Sequence, residues 1–376
     1  MRDLSQLYYA TNREIRDLLL SGKQRITENV LLELLRDRGM LCSPDEPRDA
    51  LVERLSMLTH DYTDVCGLLE RRESPRRGEK TSTISIDIPL TPEELKEFIE
   101  EYQKDESNEK VTHYKKSTDE FVMNVTYFDP DYSKTRLLQW QERNATIEFV
   151  KKDGRTELRL PATDKARAIV DNIKERVEAK KKMPVTLEEI ELTNLTSAED
   201  RTTFFTKLIS SLPHFPLENV SRLRVAHSKS KDLSEDLDIE DEEVEDAAEK
   251  MLGVVENVAL SGENLVASEM YQELKEKGFY ITSITWRARQ NKDPYTIVEF
   301  DAGFEDKEDA KRFRYSVHGV LRLKHGTYTK HLRQVDDDEK AKLLGLIEET
   351  ARKVLEELLA VTQVAPDAAE QADGGV

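Results

Sequence analysis

Cysteine is nearly missing from this chain. Two in 376 residues, Cys42 and Cys66, cannot form a disulfide framework, and their spacing matches no zinc or redox motif. Glycine is also sparse, with 14 residues scattered singly, so no glycine-rich loop is available to cradle a nucleotide phosphate. No run reaches the roughly 18 apolar residues that a membrane span requires. The opening Met1-Arg2-Asp3-Leu4 lacks the basic-then-apolar pattern of a secretory leader. No nucleophile elbow is present either. These absences lead us to expect a reducing location, cytoplasmic or nuclear, with no membrane partner and no cofactor.

What is there suits a folded chain of two or three domains. Hydrophobic residues make up 38% and charged residues 35%, and the apolar residues recur in periodic blocks. The net charge of −19 is unevenly spread. Residues 232–249 hold eleven Asp and Glu and no Lys or Arg, and without them the remainder carries −8.

Residues 1–72 read as a helical module. Leu4, Leu7, Tyr8, Ile15, Leu18 and Leu19 recur at helical spacing before Gly22. A second helix is predicted over about 27–38, stopping at Gly39, and a third from Pro47 through Leu51, Leu55 and Leu58. Residues 71–82 are polar and breaker-rich, as a linker would be.

The period then changes to two. Ile84, Ile86 and Ile88 mark a strand, and Thr91-Pro92-Glu93-Glu94 opens a helix that carries Leu95, Phe98, Ile99 and Tyr102. Strands are expected at about 121–128, 144–150 and 156–160, the last two joined at Asp153-Gly154. Thr163 caps a helix bearing Ile169, Val170, Ile173 and Val177. A similar order returns later: a strand at 254–260, a helix from Ser261, strands at 280–288, 295–302 and 313–323, and a helix opened by Asp336-Asp337-Asp338.

The fold class is therefore α+β: a helical module (1–72) and two β-α-β-β-β-α units (83–182 and 251–362). A helical and acidic connector (183–250) joins the units, and a disordered tail (363–376) ends the chain. The matching order raises a duplication of the α+β unit, although chance agreement of common elements explains it equally well.

Residues 27–55 carry Leu31, Leu34, Leu35, Arg36, Arg38-Gly39-Met40, Arg48, Leu51, Val52, Glu53, Arg54 and Leu55. This pattern resembles the SAP-type helix-extension-helix module, a short fold often found in DNA-associated proteins. The resemblance implies two helices packed by their leucine faces, with Arg36, Arg38, Arg48 and Arg54 near phosphates. The connecting segment departs from the family, because it carries Asp45 and Glu46.

A second basic feature lies at 311–335, which has no acid but contains Lys311, Arg312, Arg314, Arg322, Lys324, Lys330 and Arg333. Tyr315, Tyr328, His318, His325 and His331 interleave with these cations. The histidine spacing fits no common metal pair. Glu305-Asp306-Lys307, downstream of Asp293 and Asp301, resembles an acid-acid-x-lysine nuclease pattern only superficially.

The leading expectation is a non-enzymatic nucleic-acid-associated protein, with DNA the first candidate partner, that neutralises phosphates through these two basic features. The alternatives are a protein-interaction adaptor, using the acidic run and the last helix, and a metal-dependent nuclease.

Eleven clustered acids cannot be buried without partners. Deleting 232–249 should therefore leave the melting temperature essentially unchanged, as calorimetry on the full chain and the deletion would check.

Overall fold

The computed structural model describes residues 9–72, 79–152, 154–227, 257–261 and 269–370. The acidic run, Leu4, Leu7 and Tyr8, and residues 73–78 of the expected linker lie outside these residues. The chain opens with α1 (Asn12–Ser21), α2 (Glu28–Asp37), α3 (Arg48–Ser56) and α4 (Tyr62–Arg72). Then come β1 (Thr81–Ile86), α5 (Pro92–Asp105), β2 (Lys110–Lys115), β3 (Glu120–Pro130), α6 (Arg136–Gln139), β4 (Trp140–Lys152), β5 (Arg155–Pro161) and α7 (Asp164–Lys181). Next are β6 (Leu187–Glu189), α8 (Ala198–Ser210), β7 (Leu217–His227), β8 (Asn257–Ser261) and α9 (Glu269–Glu276). The described chain ends with β9 (Phe279–Arg289), β10 (Ile297–Asp306), β11 (Lys311–Leu321), β12 (Leu323–Lys324), β13 (Thr327–Tyr328) and α10 (Asp337–Glu370). The class is α+β, with a helical region preceding antiparallel strands.

Two compact units result, one of residues 1–79 and 92–147 and the other of 80–91 and 148–376. They differ from the boundaries expected from the sequence. The stretch 83–182 is divided because β1 pairs with β5 along its whole length, while α5 packs on β2 and β3.

In the first unit, Ile15, Leu18, Leu31, Leu35, Leu51 and Leu55 from α1–α3 meet Leu69 of α4 and Leu137 of α6 in one apolar core. Thr11 and Glu14 form a capping box at the start of α1. Gly39 takes the left-handed turn after α2, with φ +75.

In the second unit the strand order is β4-β5-β1-β11-β10-β9-β7-β8, with β6 also on β1. One face of β7, β9, β10 and β11 presents Leu223, Ile284, Trp286, Phe300 and Phe313, among others, to α8 and α10. Thr163 and Ser197 cap α7 and α8.

Of the connector expected at 183–250, the residues up to His227 are described and belong to the second unit. They contribute β6 and the eleven-residue β7, which lies between β9 and β8. Register shifts at three places along β7 break the strict alternation that would have revealed it. The order β8-α9-β9-β10-β11-α10 repeats the expected pattern, but pairing does not: β8 lies on β7, whereas β1 lies between β5 and β11. Of the tail expected from 363, residues to Glu370 belong to α10 and the rest lie outside the described residues.

Within the first unit, Arg136 Nε donates to Glu14 Oε1 at 2.6 Å and Nη2 donates to the Tyr9 carbonyl at 2.7 Å. The Arg136 hydrogen bond, aided by the Thr11 backbone, holds the Glu14 carboxyl down from its ordinary 4.5 to about 2. A depressed folded value means that the unfolded chain takes up the proton first. The stability difference between wild type and Glu14→Gln should therefore be full above pH 4.5 and shrink as pH falls towards 2. Denaturant titrations of both proteins across that window provide the check.

Candidate nucleic-acid interface

The four arginines of the SAP-like segment separate by what they touch. Arg36 is exposed in the last turn of α2, where a cation also favours the helix dipole. Arg38 Nη2 lies 2.8 Å from Asp64 Oδ1, and Arg54 Nη2 lies 2.6 Å from Glu46 Oε1. Arg48 turns inward, donating to the Ile26 carbonyl and, at 2.8 Å, to the Leu19 carbonyl. It thereby ties α3 to the end of α1. One acid of the departing connecting segment, Glu46, is thus engaged by Arg54.

The basic stretch likewise divides along its length. On β11, Phe313 and Tyr315 point into the core while Arg312 and Arg314 share the opposite face. Both arginines reach one carboxylate: Arg312 Nη1 is 3.7 Å from Glu305 Oε2, and Arg314 Nη1 is 3.4 Å from Glu305 Oε1. Arg312 also meets Asp164 at 3.0 Å, and Lys311 meets Asp309 at 2.8 Å. Lys311 and Arg312 help line an open cleft of about 430 Å³ with Arg167, Glu189, Glu191 and Asp306. That cleft carries both signs of charge.

Arg322, just past β11, pairs with Glu339 at 3.0 Å. Between it and Asp336 the chain carries no acid. Lys324, Lys330 and Arg333 are exposed and have no carboxylate partner among the described residues.

Three segments are held together at this end of the sheet. Val320 and Arg333 exchange backbone hydrogen bonds of 2.9 Å in both directions. Thr329 N donates to the Arg322 carbonyl at 3.1 Å, closing the β12–β13 hairpin against the strand end. Tyr328 Oη donates to the Tyr295 carbonyl at 3.0 Å, attaching the β9–β10 loop. That loop adds exposed Lys292, again without a carboxylate partner among the described residues. The sequence reading missed Lys292 and Tyr295, although they stand between two well-marked strands, where a functional loop is to be sought.

It also missed Arg222 and Arg224. Both are exposed on the outward face of β7, in register with Thr285 and Ser283 of β9. Farther along that face, Arg287 Nε donates to Glu299 Oε2 at 2.8 Å, and His318 Nδ1 lies 3.2 Å from Glu299 Oε1. His318 first, then Arg287, hold the Glu299 carboxyl below its ordinary range against the opposing effect of burial.

The acids of the nuclease-like pattern are engaged elsewhere. Asp301 is buried and accepts from Thr285 Oγ1 at 2.9 Å and from Lys80. Asp306 caps a turn by accepting from the Glu308 and Asp309 amides, both at 3.1 Å. Among the described residues no three His, Cys, Asp or Glu side chains are grouped as metal ligands would be.

Arg48→Met should destabilise the first unit by about 2 kcal/mol, because two carbonyls lose a charged donor. Arg36→Ala should stay within about 0.5 kcal/mol. Chemical denaturation of both variants separates a structural arginine from a surface one. Compared with models of known protein families the chain matches none, and no curated protein matches it.

Proposed function

We propose that this protein is a non-enzymatic nucleic-acid-associated protein that grips the phosphate backbone with the cations at the end of its sheet. The observation that carries this reading is the cluster of Lys292, Lys324, Lys330 and Arg333. All four are exposed, all belong to segments joined by hydrogen bonds, and none has a carboxylate partner among the described residues. Exposed cations without internal partners can exchange counterions for phosphates at little desolvation cost. Arg312, Arg314 and Arg322 would first have to give up Glu305 and Glu339. The SAP-like segment contributes Arg36 as a further contact under the same reading. DNA is the first partner to try, since the resemblance points there.

Backbone contacts of this kind position a protein without reading sequence. Replacing Lys292, Lys324, Lys330 and Arg333 by Gln should therefore weaken binding to all sequences alike. The slope of log K against log salt should become shallower by up to about 3.6 on duplex DNA, or about 2.8 on single strands. Anisotropy titrations at several salt concentrations measure this, and Arg312→Gln with Arg314→Gln should change the slope less. An unchanged slope in the quadruple variant, with wild-type melting, would overturn the assignment. Salt-insensitive association with a protein instead would favour the adaptor reading.

A further inference from the structure

We infer that Tyr295 is a base-stacking platform, so that the polymer taken at the end of the sheet is single-stranded nucleic acid. This rests on the function proposed above and goes further by naming the form of the polymer. Tyr295 is 48% exposed, although it belongs to a tightly bonded loop. Its amide donates to the Lys292 carbonyl at 2.8 Å, and Gln290 N donates to the Thr296 carbonyl at 2.8 Å. The backbone at Tyr295 is left-handed, with φ +55. A bulky residue adopts that conformation only at a cost, and glycine or asparagine would do so more cheaply. The loop instead presents an aromatic residue with about half of its surface in solvent.

The ring's surroundings suit a nucleotide chain. The Tyr328 hydroxyl fixes the Tyr295 carbonyl from one side. Arg289 lies 5.6 Å from the Tyr328 ring centroid and pairs with Glu218, so the second aromatic is already occupied by a cation. Tyr295 has no such cover. The unpartnered Lys292, Lys324, Lys330 and Arg333 belong to the same joined segments, which also carry exposed Asp293, so the phosphates of a strand stacked there have cations to meet. In a duplex the base faces are already stacked on one another, and an exposed tyrosine offers them little. An unpaired base has a free face, and stacking on it tolerates any sequence.

The test uses the full-length protein with labelled oligonucleotides of equal length, one single-stranded and one duplex. Wild type should prefer the single strand. Tyr295→Ala should weaken single-strand binding roughly five- to a hundred-fold, the range for loss of one aromatic–base stack, and leave duplex affinity unchanged. Its salt slope should stay at the wild-type value, because no cation is removed. Tyr295→Phe keeps the ring and should retain wild-type binding. Alanine and tyrosine both carry a Cβ, so the backbone cost is shared and the variant should fold, as its melting curve verifies. Single-strand affinity unchanged in Tyr295→Ala, or an equal loss on duplex, would overturn the stacking role while leaving the phosphate grip standing. Failure of wild type to bind either polymer would instead overturn the proposed function and this inference together.

Discussion

Glu348 is a carboxylate only 4% exposed, on the helix that covers the sheet of the second unit, and the seating of that helix depends on what neutralises it. Tyr315 Oη donates to Glu348 Oε2 at 3.2 Å, Arg159 Nη2 at 3.3 Å, and Arg352 Nη2 reaches Oε1 at 3.4 Å. Thr83 hydrogen-bonds the same tyrosine hydroxyl. Burial, reinforced by the Glu348 charge, pushes the Tyr315 hydroxyl well above its ordinary range, so it remains a donor at any physiological pH. β1, β5, β11 and α10 therefore converge on one group. An apolar interface could slide along the helix, but a carboxylate with three donors fixes its position. Leaving one of these charges unpaired would cost on the order of 3–5 kcal/mol.

Fixing β11 fixes the cations too. With Phe313 and Tyr315 turned inward, Arg312 and Arg314 must emerge on the other face, where Glu305 of the neighbouring strand meets both. Farther along, Gly319 admits a returning segment of chain. A Cβ there would lie 2.6 Å from the Arg333 carbonyl oxygen, so any side chain would push that segment off the strand end. The Val320–Arg333 bridge forms because glycine leaves that room. A packing constraint in the core and a missing side chain at the edge together bring Lys324, Lys330 and Arg333 to one end of the sheet.

Much of the architecture was legible because local signals agreed with the tertiary outcome. Pro92, Thr163 and Gly39 sit at the helix ends their chemistry requires, and β9, β10 and β11 fall where alternation places them. What stayed hidden has identifiable causes. The bulges of β7 interrupt its period, β6 is only three residues long, and β2 carries Val111 as its one buried residue. The basic residues were legible as a group but not in their individual roles. Nothing in the sequence near Arg48 distinguishes an arginine facing two carbonyls from one facing solvent, because Leu19 and Ile26 are distant along the chain. Pairing between Arg314 and Glu305 is equally invisible until β10 and β11 are in register.

Such local sorting also explains how a chain of net charge −19 can hold cations that no carboxylate neutralises, as the proposed phosphate grip requires. At physiological salt, exposed charges more than about 8 Å away are largely screened. An approaching phosphate therefore responds to the nearest few side chains and not to the total. Beside Arg312 and Arg314 it meets Glu305 and Asp164, and the field largely cancels. At the other end of the same strand Arg322 has Glu339, while Lys292, Lys324, Lys330 and Arg333 have no ion-pair partner among the described residues, with exposed Asp293 beside Lys292 and exposed Asp336, Asp337 and Asp338 following Arg333. Any positive field there is confined to the few side chains between these acids and weakens quickly beyond them. That geometry favours a short, flexible polyanion over a long rigid one, because a flexible strand can bend its charges into a small patch.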